Sequence, residues 1–163
     1  MENKTEHFFN GNIDVALDEK NRFVFPAKWR KSAELSGQSF YITRGWYSSL
    51  ELYPEQEWVK FHDTFTSLNQ FEPDYLALEM LIREYLHDVT LDKQDRIMLL
   101  PRHVDFLKLS GKTLRLIGRG SKIMIIDPTR MDDLWSNVHK MREAPQTDSY
   151  EELMTSLLGM KKT

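Results

Sequence analysis

The sequence predicts an α+β protein built from two tandem β-rich units, each with packed helices. Three observations predict it. A block of residues returns 74 positions later: Leu17-Asp18-Glu19-Lys20-Asn21-Arg22 reappears as Leu91-Asp92-Lys93-Gln94-Asp95-Arg96, Ser36-Gly37 as Ser110-Gly111, and Pro54 as Pro128. Each copy then reads in one order: apolar segment, Asp-x-x-x-Arg, apolar segment, proline, short helix, glycine, strand, turn, strand, proline, amphipathic helix. Apolar residues at helical spacing follow Pro54, Pro73 and Pro128. Three anchors in one register mark a tandem duplication.

The elements follow in chain order. Asn12–Leu17 and Arg22–Phe25 read as short strands flanking a turn at Glu19–Asn21. The residue before each arginine, Asn21 or Asp95, is of a type that tolerates the left-handed backbone of a tight turn. Pro26 and Gly37 bracket a short helix over Ala27–Ser36, and Pro101 and Gly111 bracket its counterpart. The proline of the second copy comes one residue late, which reads as a one-residue insertion and predicts a bulge or a slip there. Ser39–Thr43 is expected to pair with Leu50–Tyr53, and Thr113–Ile117 with Lys122–Ile126, each across a glycine-containing turn.

Helices come between and after these strands. Pro54 opens one with Trp58, Phe61, Phe65 and Leu68 at helical spacing, a stripe that reads as a packed face rather than a cofactor site. Pro73 opens a second, with Tyr75, Leu78, Leu81, Ile82 and Tyr85, joining the two copies; Pro128 opens a third with Met131, Leu134, Trp135 and Val138. A polar linker, Glu143–Ser149, precedes Tyr150–Met160, which reads either as a last short helix or as a frayed tail.

Composition narrows the function. The 163 residues carry 22 Lys+Arg against 25 Asp+Glu, a net charge of −3, so binding to nucleic acid has to use a local patch. With 40% hydrophobic and 29% charged residues, the chain can bury an ordinary core. No stretch reaches the roughly 20 apolar residues of a membrane span, and MENKTEHFF lacks the order of a signal peptide. The absence of cysteine removes disulfides, thiolate catalysis and Cys-ligated metals, and fits a reducing cytoplasm. There is no Gly-x-Ser-x-Gly elbow, P-loop or His-Glu-x-x-His helix, and Gly118-Arg119-Gly120 reads as a hairpin turn. The five histidines, His7, His62, His87, His103 and His139, never fall at a metal-ligand spacing. The expectation is a protein without cofactor, metal, small-molecule substrate or catalytic residue.

Charge is segregated along the chain. Asp18–Lys31 holds Lys20, Arg22, Lys28, Arg30 and Lys31 against Asp18 and Glu19, while Gly111–Lys122 holds Lys112, Arg115, Arg119 and Lys122 with no carboxylate. Such stretches suit phosphate contacts. By composition alone they read first as solvated surface, and the second also reads as protection of an edge strand. Asp18 and Asp92 read as turn formers or as partners of Arg22 and Arg96.

Phe9-Asn10-Gly11, Leu17-Asp18-x-Lys20-x-Arg22 and Pro26-Ala27-Lys28-Trp29-Arg30 together resemble the opening of the MraZ family of bacterial transcriptional regulators. Ile42-Thr43-Arg44-Gly45, Tyr53-Pro54-x-x-Glu57-Trp58 and Leu91-Asp92-Lys93-Gln94-x-Arg96 extend the likeness over roughly residues 8–140. The resemblance implies SpoVT/AbrB-like swapped-hairpin units over residues 8–70 and 88–142, paired as a pseudo-twofold barrel. Residues 1–7 form an extension, 71–87 a connecting helix and 143–163 a tail. It also implies a ring-shaped homo-oligomer, cytoplasmic and nucleoid-associated, that binds short repeats in double-stranded DNA upstream of the division and cell-wall gene cluster. Where the family has glycine before each motif arginine, this chain has Asn21 and Asp95; Tyr85 stands where the first copy has Gly11. The carboxylate of Asp95 is expected to weaken Arg96, making the first copy the safer carrier of function.

The residues expected to contact DNA are Arg22 and Arg96, supported by Lys20, Lys28, Arg30 and Lys93. The competing readings are a non-catalytic, antitoxin-like protein-binding ring, and a family member that has kept its assembly but lost DNA binding.

Overall fold

The structure is a computed structural model and describes residues 9–30, 39–141 and 150–159. Lys31, most of the first short helix, Gly37 and the polar linker lie outside the described residues.

The strands are β1 (Asn12–Ala16), β2 (Arg22–Val24), β3 (Ser39–Arg44), β4 (Leu50–Pro54), β5 (His87–Thr90), β6 (Arg96–Met98), β7 (Thr113–Gly118) and β8 (Ile123–Ile126). The helices are α1 (Ala27–Arg30), α2 (Glu55–Thr66), α3 (Pro73–Tyr85), α4 (Pro101–Leu107), α5 (Met131–Met141) and α6 (Tyr150–Gly159), with a 3-10 turn at Pro128–Arg130 before α5. The fold is α+β. Six strands form an antiparallel sheet in the order β1-β7-β8-β4-β3-β5, and β2 pairs with β6 in a separate ribbon. The sheet is open, with β1 and β5 at its edges.

Pairing follows the repeat. The expected pairs β3·β4 and β7·β8 both form. β1 does not turn back on β2; it pairs with β7, Ala16 opposite Thr113, and β5 pairs with β3, Thr90 opposite Ser39. Shifting each partner by the 74-residue spacing turns one register into the other. Gly118 permits a close approach here, because a Cβ on it would stand 2.4 Å from the Phe9 backbone.

Strand alternation sorts side chains into two layers, because successive residues face opposite sides of a sheet. Phe40, Ile42, Leu50, Leu52, Leu114, Leu116, Ile123 and Ile125 form one core with Phe23 and Ile97 of the ribbon, Trp29 of α1 and Phe25 between β2 and α1. Burial of each large side chain contributes about 1.5–3 kcal/mol. On the other face, the α2 stripe is packed as its spacing predicts: Trp58 and Phe65 lie with Tyr53, Tyr75, Leu78 and Ile82, and the Phe65 and Tyr75 rings stack 4.8 Å apart. Tyr150, Met154 and Leu157 of α6 close this layer. Leu134 of α5 covers Met124 and Ile126.

Two expectations need correction. No residue is inserted before Pro101. The Trp29 and Arg30 N–H groups donate to the Pro26 carbonyl, and those of His103 and Val104 donate to Leu100, 74 positions on. The proline has moved from the cap to the first helical position, where its missing N–H costs nothing. Gly111 does not cap α4. The helix ends at Leu107, and Lys108 takes the left-handed conformation with φ 49°.

Candidate nucleic-acid interface

Each Asp-x-x-x-Arg turn is closed by its own aspartate. Asp18 Oδ1 accepts the N–H groups of Lys20 and Arg22 at 2.9 Å each, and Oδ2 accepts Arg22 Nε at 2.8 Å. Asp92 repeats this with Gln94 N–H at 2.8 Å, Arg96 N–H at 3.0 Å and Arg96 Nε at 2.8 Å. Asn21 and Asp95 occupy the left-handed position, with φ 60° and 58°. Burial pushes the Asp18 carboxyl up, but the N–H and guanidinium of Arg22 and the Lys20 N–H hold it below the usual range. The Arg96 N–H leads the groups that lower Asp92. Both aspartates are turn formers and partners of their own arginines.

The same bonds aim the arginines. Each guanidinium is held side-on through Nε. Among the described residues, neither terminal nitrogen of Arg22 or Arg96 has a hydrogen-bond partner. A guanidinium fixed in this way offers two parallel donors to a phosphate or a base edge.

The ribbon brings the two turns together. Arg22 lies opposite Met98, Phe23 opposite Ile97, and Val24 opposite Arg96. Phe23 and Ile97 face the core, so Arg22, Val24, Arg96 and Met98 share the outward face. Two further bonds extend the junction, Phe25 N–H to the Asp95 carbonyl and Leu99 N–H to the Asn21 carbonyl, at 2.8 Å each.

Among the described residues, the other cations divide into exposed and engaged. Lys20 and Lys93 are exposed in their turns, and Lys28 is exposed on α1. Arg30 pairs with Asp95. The carboxylate expected to weaken Arg96 is thus directed to Arg30, and the two motif arginines stand in matching environments. Arg102 escapes a reading that aligns the two prolines. It is exposed at the first turn of α4, and the unbroken 74-residue spacing makes it the counterpart of Lys28.

The stretch Gly111–Lys122 is not the open basic patch its composition suggests. Arg115 makes two bonds to Asp14 of β1, at 2.8 and 3.1 Å. Arg119 donates to the buried Glu51 at 2.6 Å, and Lys122 reaches Tyr53 Oη at 3.3 Å. Nor do these residues guard a sheet edge, because β7 is paired on both sides.

Among the described residues no group of His, Asp or Glu is clustered to hold a metal ion, and no helix is long and apolar enough to cross a membrane.

A family model described as "MraZ protein, putative antitoxin-like" matches residues 8–80, which include the first turn and α1. A transcriptional regulator MraZ of Thiobacillus denitrificans is 34% identical over 76% of this chain and 84% of its own length. One from Chlorobium luteolum is 35% identical, with 77% and 88% covered. One from Heliobacterium modesticaldum is 30% identical, with 92% and 96% covered. With identity near one third sustained over most of both chains, and with the doubled Asp-x-x-x-Arg turn in place, the chain belongs to the MraZ family.

Proposed function

We propose that the protein is a transcriptional regulator that binds double-stranded DNA through the outward face of the β2·β6 ribbon. Relatives named as transcriptional regulators support the role in transcription. The observation that carries the DNA reading is the pair of arginines, Arg22 and Arg96, each clamped by its aspartate with its terminal nitrogens bonded to no other group among the described residues. Lys20, Lys93, Lys28 and Arg102 surround them as phosphate contacts, and Arg30 joins once released from Asp95. A two-stranded ribbon fits the width of the major groove.

In this reading the two halves are tandem swapped-hairpin units around a pseudo-twofold axis, and the exchange of β1 and β5 between halves supports it. The protein assembles as a homo-oligomeric ring, so each weak contact recurs at high effective concentration on short repeats. Its target is DNA upstream of its own operon, in the division and cell-wall cluster, and it acts in the cytoplasm at the nucleoid.

The test is binding of the intact protein to duplex DNA from the region upstream of its own gene, followed across a salt series. Affinity should fall steeply with salt, and Arg22→Ala and Arg96→Ala should each weaken it. If the arginine holds a phosphate, its removal lowers the log–log salt slope by about one; if it reads a base, its removal costs about 1–3 kcal/mol at the specific site only. Folded protein that shows no salt-dependent affinity for any duplex overturns the reading. Capture of an acidic protein in its place would favour the antitoxin-like ring.

A further inference from the structure

Between the two arginines the ribbon carries an apolar pair. Val24 is 51% exposed and Met98 is 48% exposed, on a face whose other members are Arg22 and Arg96. The strand pattern puts both positions outside but does not require them to be apolar, since Phe23 and Ile97 already fill the core side. Charged or polar residues are the ordinary choice for an exposed ribbon face. The pair is framed by cations: Arg22 and Arg96 within the face, Lys20 and Lys93 in the flanking turns. An apolar spot inside a cationic frame matches the floor of a DNA major groove, where phosphates line the walls and thymine C5-methyl groups protrude from the base edges.

We infer that Val24 and Met98 are specificity-determining residues that read thymine methyl groups in the major groove, beside Arg22 and Arg96. This rests on the DNA reading proposed above and deepens it. The register gives the spacing. Val24 is the diagonal neighbour of Met98, a separation of roughly 7–8 Å, which covers about two base steps at 3.4 Å each. The two positions are also 74 residues apart, so the repeat brings them to opposite sides of the centre between Phe23 and Ile97. They differ in reach, because valine is short and stiff whereas methionine is long and adaptable. The preferred DNA site is therefore an imperfect dyad, with a sharper thymine preference under Val24 than under Met98.

The experiment selects duplexes from a random pool with the intact protein, then replaces thymine by uracil at each position of the best duplex. Uracil keeps every hydrogen-bonding edge and loses only the methyl. Uracil at one position in each half of the dyad should lower affinity about fourfold, the equivalent of one buried methyl. Val24→Ser, which has no methyl group, should abolish the sensitivity in one half, and Met98→Gln in the other, with the salt slope unchanged. Selection that enriches no duplex overturns the DNA reading and this inference together. Tight, salt-dependent binding that ignores uracil everywhere, or that keeps its uracil sensitivity in both variants, overturns the inference alone. The inference is likewise overturned if the variants change the mass of the oligomer and leave thymine discrimination intact, since the pair would then cover a protein contact.

Discussion

Arg30 of α1 forms an ion pair with Asp95, the left-handed residue of the opposite turn. The counterparts 74 positions away are Val104 and Asn21, a neutral pair. The two halves therefore differ in charge and compensate locally: where the turn carries a carboxylate, the facing helix carries a guanidinium. Asp95 quenches Arg30 and leaves Arg96 matched to Arg22.

Asp95→Asn tests this arrangement. Asparagine tolerates the left-handed conformation, so the turn survives. The pair is partly exposed, and its loss should cost less than about 1 kcal/mol. Released Arg30 should strengthen DNA binding and raise the salt slope by about one. Chemical denaturation and fluorescence anisotropy measure the two effects. A fall in DNA affinity in the folded variant would count against the assignment.

Arg119 and Arg115 should respond very differently to truncation. Glu51 is 3% exposed, and Arg119→Ala removes the guanidinium that donates to its carboxylate, leaving Lys122 as the opposite charge beside it, at a cost of about 1–3 kcal/mol. Arg115→Ala removes a surface pair with Asp14 and should cost less than about 1 kcal/mol. Burial pushes the Glu51 carboxyl above its usual value against the pull of Lys122 and Arg119. A carboxyl raised in the folded state takes up protons more readily there, so the Arg119→Ala penalty should shrink as pH falls. Urea titrations at two pH values settle it; equal losses from the two variants would refute the contrast.

Asp127 has the opposite pH signature. Burial raises its carboxyl, but the N–H groups of Thr129 and Ser110, helped by their hydroxyls, outweigh this and hold it below the usual value. Its stabilisation is therefore complete above the ordinary carboxylate pKa and is lost as pH falls through the lowered one. Asp127→Ala leaves the Ser110 and Thr129 N–H groups without their acceptor and should cost about 1–3 kcal/mol at neutral pH. Asp127→Asn should flatten the acid limb of the stability curve, as acid titration followed by circular dichroism would record.

Light scattering at micromolar concentration should give a particle larger than a dimer. Both edge strands, β1 and β5, have one side unpaired among the described residues, and Phe71 just before α3, with Leu76 and Met80 one turn apart on it, is exposed as they are. Leu76→Glu with Met80→Glu should reduce the mass while leaving the monomer folded, because both side chains already face solvent. A clean monomer for the unaltered protein would dispose of the ring.

What the sequence determined by itself was local. The left-handed Asn21 and Asp95, the aspartate-closed turns and the aromatic stripe of α2 depend on neighbours a few positions away, so residue type and spacing reveal them, and the 74-residue repeat shows that each local pattern recurs. Only the tertiary structure decided the partners of β1 and β5, because they lie in the other half of the chain. It also decided which cations remain available. Arg30 meets Asp95 at a separation of 65 residues, Arg119 meets Glu51 at 68 and Arg115 meets Asp14 at 101. A stretch that counts as basic along the chain can thus be neutral in space, since Coulomb attraction acts across the folded distance and charge counting sees only the contour.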